Sequence, residues 1–421
     1  MDLRAHVRAG DGVWWSQAGA EATPLVDALL DGLPAIGPVR AFGGLTFNPR
    51  LREPPPQLAL TSYGAMGELR AAHAAGRLDV VPAHYSALPR LFAEHRLPGD
   101  VGLLQVSPPG PDGRCSLGIG ADYAADALRH SRVLLGEINH RMPVTAGTPG
   151  VPRERFAAVV ETDRALPTAP ERAPDAVDEA IAARVAELVD DGDTVQIGVG
   201  SLPSAVLDGL AGHRDLGFHA GMLTDPVLRL VEKGVITGAR KEIDTGLVVT
   251  GTAIGSADLY ARLGETPVEF RPASHTHHPG VLARLGGLVA INSALAVDLT
   301  GQIGAEVGGT GRYLGGVGGQ ADFSSAAART GARSLIALRA RTPDGGSAIV
   351  PALPGGVVTT ARADVDVVVT EHGTAWLRGV PLADRPGRLA AIAAPEHREA
   401  LRRADARRSG AGPSGSTGGS P

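Results

Sequence analysis

A glycine-broken turn and, after the helix, a small apolar segment carrying one histidine mark residues 193–225, DTVQIGVGSLPSAVLDGLAGHRDLGFHAGMLTD, as the stretch best equipped for chemistry. Ahead of an apolar-periodic segment, Gly198-Val199-Gly200-Ser201-Leu202-Pro203 supplies backbone that a ligand can approach closely. Free N–H groups at a helix start favour an anion or a developing oxyanion. His219 then adds a side chain that titrates near neutrality, with Asp225 six residues on. Residues of these types suit work on an acyl group. A second glycine loop, Gly315-Gly316-Val317-Gly318-Gly319-Gln320, precedes Asp322, which is expected as an N-cap with Ser324 and Ser325 behind it. Each loop reads either as an ordinary tight connection or as a ligand cradle. Neither fits a dinucleotide fingerprint or a GK[ST] phosphate loop, so nucleotide chemistry is unsupported.

Other reactive residues are more isolated. His275-Thr276-His277-His278 has two histidines two apart, but no cysteine or carboxylate cluster in sequence accompanies them. It is expected as a solvated or substrate-contacting loop, with no metal. Glu371-His372 follows an apolar run and reads either as an active-site pair at a strand's C-terminal end or as a structural ion pair. Ser116 and Ser293 lack a GxSxG elbow, and Cys115 reads as a structural thiol.

The elements that must position these groups follow from pattern. Thr194-Val195-Gln196-Ile197 alternates like a strand, and Pro203 suits the first turn of the helix that follows. The same order of GD turn, strand, small-residue loop and proline-opened helix occurs around Gly10 to Leu30, about 180 residues earlier, which suggests two related halves. Strands are expected at 77–82, 101–106, 133–138, 247–250, 288–291, 334–338 and 365–370. Helices are expected at 65–75, 88–95, 123–129, 226–233 and 323–329, giving mainly parallel sheets covered by helices. The proposed domains are 1–165 and 177–405, joined by a proline-rich linker at 166–176 and followed by a low-complexity tail at 406–421. Trp14-Trp15 is expected in the core.

The chain has 421 residues, 43% of them hydrophobic, and a net charge of −5, so nothing marks a nucleic-acid surface. One cysteine cannot form an internal disulfide and fits a reducing, cytoplasmic setting. The N-terminus shows no signal peptide, and no apolar run is long enough for a membrane span. A homo-oligomer stays open.

Taken in order, several segments resemble the acetyl-CoA hydrolase/transferase family, which includes 4-hydroxybutyrate and butyrate:acetate CoA-transferases. They are LQVSPP at 104–109, IGVGSLP at 197–203, VEKGVITG at 231–238, INSAL at 291–295, VDLTGQ at 297–302, GVGGQADF at 316–323 and VTEHGTAWLRG at 369–379. The resemblance implies an α/β fold of two tandem CoA-transferase-type domains, with a coenzyme A thioester as substrate. It further implies a glutamate nucleophile in a segment similar to G-x-H-T-E-M, which passes through an acyl-glutamyl anhydride and a glutamyl-CoA thioester. Backbone N–H groups at Leu202 and Gly319 would form the oxyanion hole, with Gly198, Val199, Gly200, Gly318 and Gln320 around the thioester.

Here the corresponding segment reads Gly217-Phe218-His219-Ala220-Gly221-Met222, and Gly221 stands at the glutamate's position. Ala296 stands where relatives carry a second glutamate. Neither Asp225 nor Glu306 replaces the lost nucleophile, because each matches a family residue of its own. The expected activity is therefore direct attack on the thioester, by water or by a nucleophile within the substrate, with His219 as base. The space vacated at Gly221 is expected to admit a water or a bulkier acyl group. His277, His278, Glu371 and His372 are candidate substrate contacts. Two alternatives stand beside this reading: a CoA-ester-binding protein or partner subunit without turnover, and CoA transfer through another carboxylate.

Overall fold

The computed structural model describes residues 1–169, 171–309 and 311–408. β-Branched and apolar runs buried on both faces form two extended sheets. The first has seven strands, all parallel, in the order Phe156–Thr162, Val133–Asn139, Val101–Val106, Gly12–Trp15, Val39–Phe42, Leu58–Ser62 and Asp79–Val80. The second has nine, in the order Gly373–Trp376, Val367–Thr370, Arg333–Ala337, Leu288–Ser293, Thr194–Ile197, Gly217–His219, Val248–Thr250, Val268–Phe270 and Ala146–Gly147. All its neighbours run parallel except the Gly373–Trp376 hairpin strand. The Ala146–Gly147 edge strand comes from the earlier part of the chain, so the halves share a sheet.

Gly12–Trp15 and Thr194–Ile197 are the centre strands of their sheets, and each is followed by a helix, Thr23–Ile36 and Ser201–Gly209. The internal similarity in the sequence thus marks equivalent positions of two α/β halves. Trp14 and Trp15 are buried, and Trp14 donates its indole N–H to Ser131 Oγ at 2.7 Å. Trp14, Phe42, Phe92 and Tyr123 pack mostly edge to face, with Phe42 and Phe92 5.3 Å apart at 87°. The same buried cluster continues through Val195, Ile197, Phe218 and Val248, making one core across both sheets.

The expected helices are present with other bounds: Leu69–Ala74, Leu88–Ala93 and Ala124–Ala127 are shorter, Asp225–Glu232 is shifted by one residue, and Gln320–Thr330 is longer. The chain between the halves leads into a helix at Ala176–Ala186, where Asp175 caps the N-terminus with its carboxylate. A final helix, Pro395–Arg408, carries regular structure through 406–408, which the sequence had placed in the tail. From 409 onward that expected tail lies outside the described residues. Among the described residues, no helix is long and apolar enough to cross a membrane.

Candidate active site

The strand Thr194–Ile197 ends at a loop, 198–200, in which Gly200 has φ 135°, a conformation an L side chain rarely adopts. Val199 is 48% exposed. The helix Ser201–Gly209 starts immediately afterwards with no side-chain cap, so its first N–H groups stay available. Leu202 lies in that first turn.

The second glycine loop is clamped between the halves. The carbonyl of Gly315 accepts from Ala65 N at 2.8 Å, and that of Gly318 accepts from Tyr85 N at 2.9 Å. Gly64 and Gly316 face each other so closely that a Cβ on Gly316 would sit 2.7 Å from the Tyr63 carbonyl oxygen. Only glycines permit that approach. Gly319 caps the helix Gln320–Thr330, and the Gln320 amide donates to Thr360 Oγ1 at 3.2 Å. Asp322 is not the N-cap, because it already lies inside the first turn. Its carboxylate instead accepts from Ser86 Oγ at 2.6 Å and from Ser86 N at 3.1 Å, tying this helix to the other half.

Gly221 sits just past Gly217–His219, where its carbonyl accepts from Gly251 N at 3.2 Å and Thr252 N at 3.0 Å. The space beside it is not vacant. A Cβ on Gly221 would lie 2.8 Å from His277 Cε1 and 3.0 Å from Nε2, so the imidazole occupies the room expected for a water or a larger acyl group. The same ring crosses to the other loop, where a Cβ on Gly319 would overlap Nε2 and lie 2.6 Å from Cδ2. Tyr85 lies against His277 at 4.6 Å between ring centroids, and Phe323 at 5.1 Å. Burial holds the His277 pKa down to about 3, so the ring is neutral.

His219 does not meet the expectation of an accessible base. Its ring is fully buried, and Nε2 lies 3.1 Å from the Thr276 carbonyl, which can only accept, so Nε2 carries the proton. Nδ1 is buried without a partner among the described residues. Desolvation and the nearby Lys241 ammonium lower its pKa to about 3. The geometry makes His219 a strut that holds the backbone at Thr276, next to His277. The other histidines divide. His275 Nε2 lies 2.8 Å from Asp244 Oδ2, whereas His278 is exposed and accepts from Gly280 N through Nδ1.

Glu371 and His372 lie on the same C-terminal edge of the sheet, but the strands Arg333–Ala337 and Leu288–Ser293 separate theirs from Thr194–Ile197. Three strand spacings of about 4.8 Å place them roughly 14 Å away across the sheet. Glu371 accepts from Ala340 N at 2.9 Å and lies 3.6 Å from His372 Nε2, so the structure does not bring this pair to the glycine loops. Asp225 accepts from Ser256, at 2.5 Å from its hydroxyl and 3.0 Å from its N–H, and Glu306 accepts from Thr359 Oγ1 at 2.9 Å. Both carboxylates are held by these hydrogen bonds.

A cleft of about 250 Å³ opens beside the first glycine loop, lined by Leu45 and Phe47 on one side and Val199, Gly200, Thr224 and Asp225 on the other. Behind Tyr85 lies a buried polar network that the sequence did not disclose. The Gln17 amide donates to Asp122 Oδ2 and Tyr85 Oη, each at 2.8 Å, and its carbonyl oxygen accepts from Tyr63 Oη at 2.7 Å. Burial raises the Asp122 pKa to about 6. No motif links residues 17, 63, 85 and 122, since only the fold brings them together.

Two domain profiles match the chain: the acetyl-CoA hydrolase/transferase N-terminal domain over residues 2–164 and the C-terminal domain over 255–405. The chain is 38% identical to a 4-hydroxybutyrate coenzyme A transferase of Clostridium kluyveri, over 80% of this chain and 79% of that one. Among solved structures, RipA from Yersinia pestis superposes with a TM-score of 0.87 at 30% identity, covering 97% of this chain and 96% of that one. A 4-hydroxybutyrate CoA-transferase from Porphyromonas gingivalis gives 0.81 at 31% identity, over 96% of each chain.

Proposed function

Because the chain belongs to the acetyl-CoA hydrolase/transferase family, we propose that it cleaves an acyl-CoA thioester by direct attack, without the family's glutamyl intermediate. One observation carries this reading: the His277 ring packs against Gly221, the residue we take to stand at the nucleophile's position, and reaches Gly319 of the second glycine loop. The N–H groups of Leu202 and Gly319 would polarise the thioester carbonyl. A preorganised donor of this kind contributes roughly 3–4 kcal/mol to transition-state stabilisation. Water or a nucleophile within the acyl group then attacks, giving hydrolysis or cyclisation. The cleft between Phe47 and Thr224 would take the acyl chain.

The test is free-thiol release from a panel of acyl-CoAs, with and without added carboxylic acids. Release that needs no acid is the expected result. Release or exchange only with an added acid would instead establish transfer through another carboxylate. Tight CoA-ester binding with no release would establish a non-catalytic binder, a second reading that draws on the same filled position at Gly221.

A further inference from the structure

The geometry points to His277 as the catalytic base that replaces the lost glutamate, an inference that rests on the proposed direct attack and names its proton acceptor. The ring fills the position that a side chain at residue 221 would take and reaches Gly319, whose N–H is the proposed oxyanion donor. Two backbones approach one imidazole this closely because both residues are glycine. The ring is fixed in orientation by Tyr85 and Phe323; it is as buried as His219, but its Nε2 faces Gly221 and Gly319 where that of His219 is taken by the Thr276 carbonyl.

The hydrogen bonds accommodate the tautomer that a base requires. Thr276 Oγ1 lies 3.3 Å from the Pro272 carbonyl and 2.8 Å from His277 Nδ1. In that tautomer Oγ1 gives its one proton to the carbonyl and accepts from Nδ1–H. Nε2 is then left with its lone pair, and among the described residues it has no hydrogen-bond partner. This is the nitrogen beside Gly221 and Gly319. His219 supports the arrangement from behind by donating to the carbonyl of Thr276.

In the reaction, a water attacks the thioester carbonyl carbon while Nε2 takes its proton. The carbonyl oxygen accepts charge at the two loop amides. As the intermediate collapses the C–S bond breaks, and the imidazolium returns its proton to the departing thiolate. Acyl-CoA and water become a carboxylic acid and free coenzyme A, with His277 regenerated.

The experiment compares wild type with His277→Gln and His277→Ala on the best acyl-CoA of the panel. Glutamine keeps bulk at the site and removes the base, and CoA-ester binding and thermal unfolding are measured for each variant. For both variants we expect kcat to fall about 10²-fold or more, with KM and CoA-ester affinity changed only a few-fold. Thiol release by His277→Gln or His277→Ala at the wild-type rate or faster would overturn the assignment, leaving His277 as filler while direct attack stands. A wild type that releases no thiol from any acyl-CoA would overturn both.

Discussion

The two centre strands end differently, and the contrast separates scaffold from chemistry. After Trp15 the chain runs through Ser16, Gln17, Ala18, Gly19 and Ala20, all buried, with Gln17 at the hub of a polar network. After Ile197, at the equivalent place, it opens into an exposed glycine loop and an uncapped helix start. One end is sealed and the other is open to a ligand. The titratable groups differ in the same way. Burial makes Glu21 and Asp122 on the sealed side hold their protons, to about 7 and about 6, whereas His219 and His277 on the open side reject theirs. In all four, burial shifts the balance toward the neutral form.

Substitutions on the sealed side should cost stability, and those on the open side should cost turnover. Gln17→Leu should have the largest effect, because it strands Asp122, Tyr63 and Tyr85 in the core. At about 1–3 kcal/mol for each buried group left unsatisfied, the loss should reach about 4 kcal/mol in urea unfolding. A loss under about 1 kcal/mol would show that the network is not what seals that end.

Gly221→Glu comes next. A side chain there collides with the His277 ring, so the single variant should lose about 2 kcal/mol through overpacking and stay inactive in CoA transfer. Gly221→Glu combined with His277→Ala should recover that stability and, on incubation with an acyl-CoA, form a protein–CoA thioester visible by mass spectrometry. Additive losses in the double variant would show that the ring and residue 221 do not share the space.

The pH response sharpens the comparison further. His219 has a pKa of about 3 in the fold against an unfolded value of 6.5. Between those values the unfolded chain binds more protons, so the buried ring makes stability fall as pH drops below 6.5. His219→Gln should flatten that slope by up to one proton, about 1.4 kcal/mol per pH unit. Glu21 acts oppositely: its folded pKa of about 7 lies above 4.5, so its share of stability is lost as pH rises through 7. Denaturation curves of His219→Gln and Glu21→Gln from pH 4 to 8 should therefore diverge in opposite directions from wild type. The smallest effect belongs to Val199→Ser, on the exposed loop, which should change stability by no more than about 0.5 kcal/mol.

Periodicity and turn residues made most of the architecture legible before any coordinates. Thr194–Ile197, Val101–Val106 and Val133–Asn139 are strands because short apolar runs between glycine turns have few other ways to be buried. The glycine loops were legible too, as was a glycine at residue 221. Legibility failed where long-range packing decides. His219 carries the motif, yet the segment at 273–276 buries it, while His277, 58 residues later, arrives against Gly221. Asp322 looked like a cap, but Ser86 from the other half claims it. Glu371 sits on the right edge of the sheet but several strands away from the loops.

The central claim is that water, not a protein carboxylate, attacks the thioester. The most direct measurement is turnover in ¹⁸O-labelled water without an added acid, with mass analysis of both product and protein. The account predicts one ¹⁸O in the released carboxylic acid and an unlabelled, unacylated chain. No release until an acid is added, together with coenzyme A bound covalently to the protein, would contradict it.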